Sequence, residues 1–233
     1  MVHEIEKRNT AQPVEFRASD TGAGVLTGYA AVFNRYSQNL GGFVEQVAPG
    51  AFNKSLGDAT PVIARYNHND DFLLGTTEAG TLTLTVDGTG LRYDVELPDT
   101  TAGRDVAALA KRGDLRYSSF AFRALDDDWG VTDQGFPFRT LLNVQLVDVA
   151  PVNTPAYMDT TAGMRSLAER LHMEVDEVRI TPVEEIRSLL SVEKLPPESR
   201  AEPESKDGQS ETHPTIAMLR RRLDMVQSAP VSR

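Results

Sequence analysis

Leu142-Asn143-Val144-Gln145-Leu146-Val147-Asp148 sends Leu142, Val144 and Leu146 to one face and ends that face on a carboxylate. A period of two is the mark of a strand with one buried side. Working outward, the same pattern recurs twice. Val62, Ala64 and Tyr66 lead to His68, and Leu115, Tyr117 and Ala121 flank Ser119. Alternation places all three polar residues on core-type faces, and a shift of one residue would put all of them in solvent. Burying a carboxylate, an imidazole and a hydroxyl is costly unless they satisfy one another. Those three groups are also the parts of a serine-nucleophile hydrolase.

Further strands are expected near Val14–Ala18, Val25–Asn34, Phe43–Ala48, Thr81–Val86, Gly90–Leu97, Leu115–Ala124 and Phe138–Val149. Asp87-Gly88-Thr89-Gly90 has hairpin length between two of them. Two helices interrupt the strands. Pro49–Leu56 can open with its proline near the first position. Thr101–Arg112 has a threonine entry, apolar Val106, Leu109 and Ala110, late Lys111 and Arg112, and Gly113 as a stop. The fold class is therefore mainly β with flanking helices, a small and mostly antiparallel barrel or curled sheet.

Composition changes near residue 160. Residues 1–160 form the β domain, and 161–195 a helical extension with apolar spacings of three and four in Tyr157–Leu171 and Val183–Leu190. Pro196–His213, without a large apolar residue, is expected as a flexible acidic linker. Pro214–Val226 is expected as a short amphipathic helix carrying Ile216, Leu219, Leu223 and Val226 on one stripe, too short to stand alone and suited to docking on a partner or a second copy.

The chain has 233 residues, 40% hydrophobic, with a formal charge of −10 and no cysteine. Cysteine nucleophiles, thiolate metal sites and disulfides are thereby excluded, as a reducing cytoplasm permits. The negative charge argues against a nucleic-acid partner, and Arg220-Arg221-Arg222 reads as the polar face of a helix. No apolar run is long enough to span a membrane, and the N-terminus lacks a signal-peptide core.

Ser119 shares a face with Tyr117 and Ala121, where small neighbours leave room for a substrate carbonyl; Ser118, on the Phe120 and Phe122 face, is the alternative nucleophile. His68 can act as base and then acid near neutral pH. Asp148 can hold the imidazole tautomer. Each also has a plain structural reading: a small strand serine, a strand-end histidine bonded to Asn or Asp, and a solvated strand-end carboxylate. Asp70 and Asp71 lie close to His68, but no HxxxH or HxxE spacing supports a metal, and no cofactor is expected.

Several blocks, in order, resemble a known family. They are Gly41-Gly42-Phe43 with Pro49-Gly50-Ala51-Phe52, Asn67-His68-Asn69, Gly113-Asp114-Leu115 to Phe122, and Val147-Asp148-Val149 through Pro151-Val152-Asn153-Thr154-Pro155-Ala156-Tyr157. Together they are similar to the prohead maturation proteases of tailed bacteriophages, relatives of the herpesvirus assemblins, over roughly residues 24 to 160. The resemblance implies a serine endopeptidase on an assemblin-type β-barrel, with Ser119 as nucleophile, His68 as base and Asp148 as third member. Arg139 matches a recurrent arginine and has two readings, support of the oxyanion, directly or through water, and a surface or structural ion pair. This chain departs from the pattern at Ser118, where a bulky apolar residue is usual, at Ala121, where glycine is common, and at Asp148, where glutamate is more frequent.

The implied substrates are the protease itself, the scaffold and the scaffolding segment of the major capsid protein, cut inside the assembling procapsid in the host cytoplasm, with self-association. The competing class is a catalytically silent scaffold or assembly protein that keeps the fold. A carbohydrate- or lipid-binding barrel would want an aromatic-lined cavity, and a single tryptophan, Trp129, in an acidic turn offers little for one.

Overall fold

The computed structural model describes residues 4–20, 22–58, 60–154 and 161–192. The expected linker Pro196–His213 and helix Pro214–Val226 lie outside the described residues, as do Pro155, Ala156 and Tyr157. In chain order the first strands are β1 (Glu6–Thr10), β2 (Glu15–Arg17), β3 (Gly24–Val32) and β4 (Val44–Val47), followed by helix α1 (Asn53–Gly57). Next come β5 (Ile63–Arg65), a 3-10 turn at Tyr66–His68, β6 (Leu73–Thr76), β7 (Leu82–Val86) and β8 (Gly90–Leu97). Helix α2 (Thr101–Arg112) precedes the long strands β9 (Tyr117–Val131) and β10 (Pro137–Val152). Helices α3 (Thr161–Leu171), α4 (Val175–Ile180) and α5 (Val183–Val192) end the described chain.

The strands make a six-stranded sheet in the order β1-β9-β10-β5-β6, with β4 also on β10, and a four-stranded sheet β2-β3-β8-β7. Most pairings are antiparallel, but β4 and β5 run parallel to β10. The mainly β architecture with flanking helices is as the sequence indicates, with one correction. The strands form two sheets and not a closed barrel. The four-stranded sheet ends on the three-residue β2, and a single bridge, Phe33 to Val47, links it toward β4. Too few backbone groups face each other there to continue the ladder.

Between the sheets lies the main core, with Leu26, Leu91, Tyr93 and Val95 from one side and Phe120, Phe122, Val144 and Leu146 from the other. A second core joins Leu40, Phe43 and Trp129 to Met164, Leu167, Val178, Ile186 and Leu190, which fastens the helices to the far end of β9. Trp129 is thus not in an exposed acidic turn. Strand β9 runs straight through Asp126-Asp127-Asp128, and the indole is buried, donating from Nε1 to Ser166 Oγ at 2.9 Å.

Helix α2 follows its sequence signals. Thr100 Oγ1 accepts from Gly103 N at 3.2 Å, and Gly113 closes the helix at φ 78°, where a side chain would be strained. Two of the alternation patterns are interrupted. In β10, Arg139 and Leu141 are buried and then Val144, Leu146 and Asp148, because the pairing with β9 slips between Leu141 and Val144. Leu142, expected on the core face, is therefore 40% exposed. Strand β5 ends at Arg65, so His68 belongs to the turn that follows.

Strands β1 and β6 were not expected. Glu6-Lys7-Arg8-Asn9-Thr10 has no apolar residue, and Leu73-Leu74-Gly75-Thr76 is short and contains glycine. The first is held instead by charge. Glu6 and Arg8 point inward, and Arg8 bonds Glu45 from Nε at 2.8 Å and Glu6 from Nη2 at 2.6 Å.

Candidate active site

Ser119 lies in β9 between two neighbouring strands, opposite Asn9 of β1 and Ala150 of β10. Its neighbours Phe120 and Phe122 stack in the main core with ring centroids 4.9 Å apart. That anchors the strand and sets which way each serine points. Ser118 turns toward the four-stranded sheet, where its Oγ lies 3.0 Å from the Tyr93 hydroxyl. Gly28 leaves room for this pair, since a Cβ there would stand 2.6 Å from Ser118 Oγ and 2.7 Å from the Tyr93 oxygen. Burial pushes the Tyr93 phenol far above its ordinary range, and the bond to Ser118 offsets this only in part. Ser118 is thus spent in the core between the sheets. Ser119 faces elsewhere.

The turn Tyr66–His68 carries the imidazole. Asn67 and His68 both have positive φ, 55° and 56°, a conformation that costs energy outside glycine and is tolerated best by Asn, Asp and His. The turn is tied down at several points. Tyr66 N donates to Phe72 O at 3.0 Å, Asn69 N to Tyr66 O at 3.1 Å, and Asn153 N to Asn67 Oδ1 at 3.1 Å. The last bond fixes the turn to the chain just beyond β10. His68 is therefore aimed by a strained, pinned turn and not by strand alternation.

Asp148 sits at a second register slip in β10, opposite Ala121 of β9 and Ile63 of β5. From this central strand its side chain meets the imidazole. His68 Nδ1 is 2.5 Å from Asp148 Oδ1, and His68 Nε2 is 2.6 Å from Ser119 Oγ. The side chains of His68 and Asp148 are only 4% and 5% exposed, and Ser119 has no exposed surface. Three segments far apart in the chain thus contribute one hydrogen-bonded row: hydroxyl, imidazole, carboxylate.

The row has a definite chemical sense. A carboxylate only accepts, so Nδ1 carries the proton toward Asp148 and Nε2 presents its lone pair to the Ser119 hydroxyl. A second acceptor competes for that hydroxyl proton, the Arg8 carbonyl of β1 at 2.9 Å. On the far side of the carboxylate, Arg65 Nε stands 3.3 Å from Asp148 Oδ2.

Arg139 is not part of this row. Its Nε donates to Asp127 Oδ2 at 2.7 Å, Nη1 to Glu6 Oε2 at 2.9 Å and to Glu45 Oε2 at 3.0 Å, and Nη2 pairs with Asp127 at 2.6 Å. Burial opposes the charge, but the carboxylates of Glu45, Glu6 and Asp127 outweigh it and hold the guanidinium above its ordinary range. All three nitrogens face carboxylates, so of the two readings of Arg139 the geometry carries the ion pair, a buried network joining β1, β4, β9 and β10, and not the oxyanion support. Arg65 and Arg8 touch the row and were not foreseen. Arg65 had a signal, being three residues before His68 on the strand that feeds the turn, whereas a contact through the Arg8 main chain leaves no mark in sequence.

A profile of the caudovirus prohead serine protease family matches residues 12–174. Among solved structures the chain is similar to "Structure of the bacteriophage T4 capsid assembly protease, gp21", at 13% identity and a TM-score of 0.45, over 64% of this chain and 97% of that one. No curated protein matches it in sequence.

Proposed function

The chain belongs to the caudovirus prohead serine protease family, and from that premise we propose that it is an active serine endopeptidase in which Ser119 is the nucleophile, His68 the base and Asp148 the orienting carboxylate. The observation that supports this most is the unbroken row of bonds from Ser119 Oγ through both imidazole nitrogens to Asp148. Ser119 Oγ attacks a peptide carbonyl and gives its proton to His68 Nε2. The imidazolium, balanced by Asp148, passes that proton to the departing amine, and water then releases the acyl group by the same steps in reverse.

The substrates under this reading are the protease itself, the scaffold and the scaffolding segment of the major capsid protein, all inside the assembling procapsid. Residues 1–160 form the protease unit, residues 161–195 a helical extension, and residues 196–233, by composition, a tail that tethers the enzyme to the shell lining. A silent scaffold with the same fold is the second reading. The fully buried Ser119 favours it, because the resting protein offers its hydroxyl to no substrate.

Co-expression with capsid protein and scaffold decides between them. Ser119→Ala should lower cleavage by about a millionfold, because such a row acts as a unit, with the fold retained. Ser118→Ala should keep cleavage and cost about 1–3 kcal/mol of stability through the stranded Tyr93 hydroxyl. Full cleavage by Ser119→Ala would remove it as nucleophile, and an uncleaved capsid protein with the unaltered chain would favour the scaffold.

A further inference from the structure

Asp148 has two oxygens and His68 uses one. The other faces Arg65 Nε at 3.3 Å, in a place where the Asp148 side chain is 5% exposed and the Arg65 side chain 17%. The ladder explains the meeting. Asp148 is paired with Ile63 in parallel register, so their side chains leave the same face, and Arg65 follows two residues later on that face. Its Nη1 forms an ion pair with Asp70, in the loop that leaves the His68 turn. One guanidinium therefore reaches both the carboxylate that holds the imidazole and the loop that presents it.

A buried carboxylate bonded to one neutral imidazole is poorly compensated. Arg65 supplies the missing positive charge through one nitrogen, Nε, which stands beside the second carboxylate oxygen. Among the described residues Arg65 Nε has no aligned hydrogen-bond partner, so it is a buried donor whose neighbouring acceptor is Asp148 Oδ2. Resting enzymes commonly hold such bonds long and tighten them during reaction.

From this arrangement we infer that Arg65 is a positioning residue for the hydrolytic reaction, acting through Asp148 on the orientation of His68. The inference rests on the Ser119–His68–Asp148 reading. Losing Arg65 would free the carboxylate to turn, and the imidazole would lose its fixed angle toward Ser119 Oγ. Misplacement of a reacting group by about 1 Å is worth roughly a hundredfold in rate.

The test uses a fluorophosphonate probe on the full chain in assembled procapsids, with Ser119→Ala as control. Arg65→Ala should lower the maximal inactivation rate by about 10- to 100-fold while the probe's half-saturating concentration stays the same. Millimolar ethylguanidinium should restore much of the rate. Asp70→Asn, which removes only the 85% exposed end of the contact, should label like the unaltered protein. A merely structural brace predicts equal losses in Arg65→Ala and Asp70→Asn and no rescue, and that result overturns the inference. So does an unchanged rate in Arg65→Ala. If Arg65→Ala does not fold, Arg65→Lys carries the comparison, with a smaller loss expected because the charge is kept and the Nε donor beside Asp148 is not. Labelling of Ser119→Ala, or none of the unaltered chain, would sink the nucleophile reading itself. A slow Arg65→Ala beside a fast unaltered chain supports both.

Discussion

Replacing Arg139 with methionine separates two roles for one guanidinium. The side chain is 2% exposed and faces Glu6, Glu45 and Asp127, with Arg8 as the other cation of the network. Two positive and three negative groups leave a net charge of −1, and without Arg139 the same pocket holds −2. Removing one partner of a buried pair costs about 3–5 kcal/mol, because the remaining charges stay desolvated. For a chain of this size each kcal/mol lowers the melting temperature by about 2–4 °C, so Arg139→Met should lose roughly 6–20 °C. Trp129 gives the assay. It is the single tryptophan, it is buried, and its ring lies 6.0 Å from the Arg139 guanidinium carbon. Its fluorescence should follow urea and heat unfolding while fluorophosphonate labelling is measured well below both midpoints. Near-normal labelling with a large loss of stability is the expected pair of results. A melting temperature within about 2 °C of the unaltered protein, joined to a selective loss of labelling, would refute the network argument and return Arg139 to the oxyanion.

Two other outcomes can be checked on the same protein. The raised Tyr93 phenol binds its proton more tightly folded than unfolded, so its contribution to stability is complete below about pH 10 and is lost as pH rises toward the folded value; in alkaline ultraviolet titration its phenolate should appear only with unfolding, and reversible early ionisation in the native protein would contradict this. Lys7 and Ala121 face each other across β1 and β9 in a chain without cysteine, so Lys7→Cys with Ala121→Cys allows a reversible lock. Oxidation should abolish Ser119 labelling and reduction restore it, while equal labelling in both states would show that β1 need not move.

What was legible in the sequence was the class of fold and the identity of the three polar residues, because long strands such as β9 and β10 write their period plainly. The reasoning from alternation was nonetheless incomplete. Leu142 and Asp148 do not share a face, since a slip in pairing lies between them, and such a slip depends on the partner strand. His68 reaches the site through two residues of positive φ, which no hydrophobic pattern encodes. Strand β1 is made of charged and polar residues and reads as solvent-exposed; its ladder with β9 and the buried bonds to the distant Glu45 and Arg139 make it a strand. For Arg139 the sequence left oxyanion support and an ion pair both open for the same reason, its carboxylate partners being remote in sequence.

The carbonyl of Arg8, resting against the Ser119 hydroxyl, ties the first strand to the proposed nucleophile. Of the two groups bonded to that oxygen, the proposed chemistry needs His68 to stay, so the Arg8 carbonyl is the one that would have to withdraw, against the buried pairs of Arg8 with Glu45 and Glu6. Turnover under that reading would be the intrinsic rate multiplied by the fraction of molecules with the strand parted, and every ~1.4 kcal/mol needed to part it divides that fraction by ten. Under the proposed reading, how tightly a few N-terminal residues are held would set when cleavage begins.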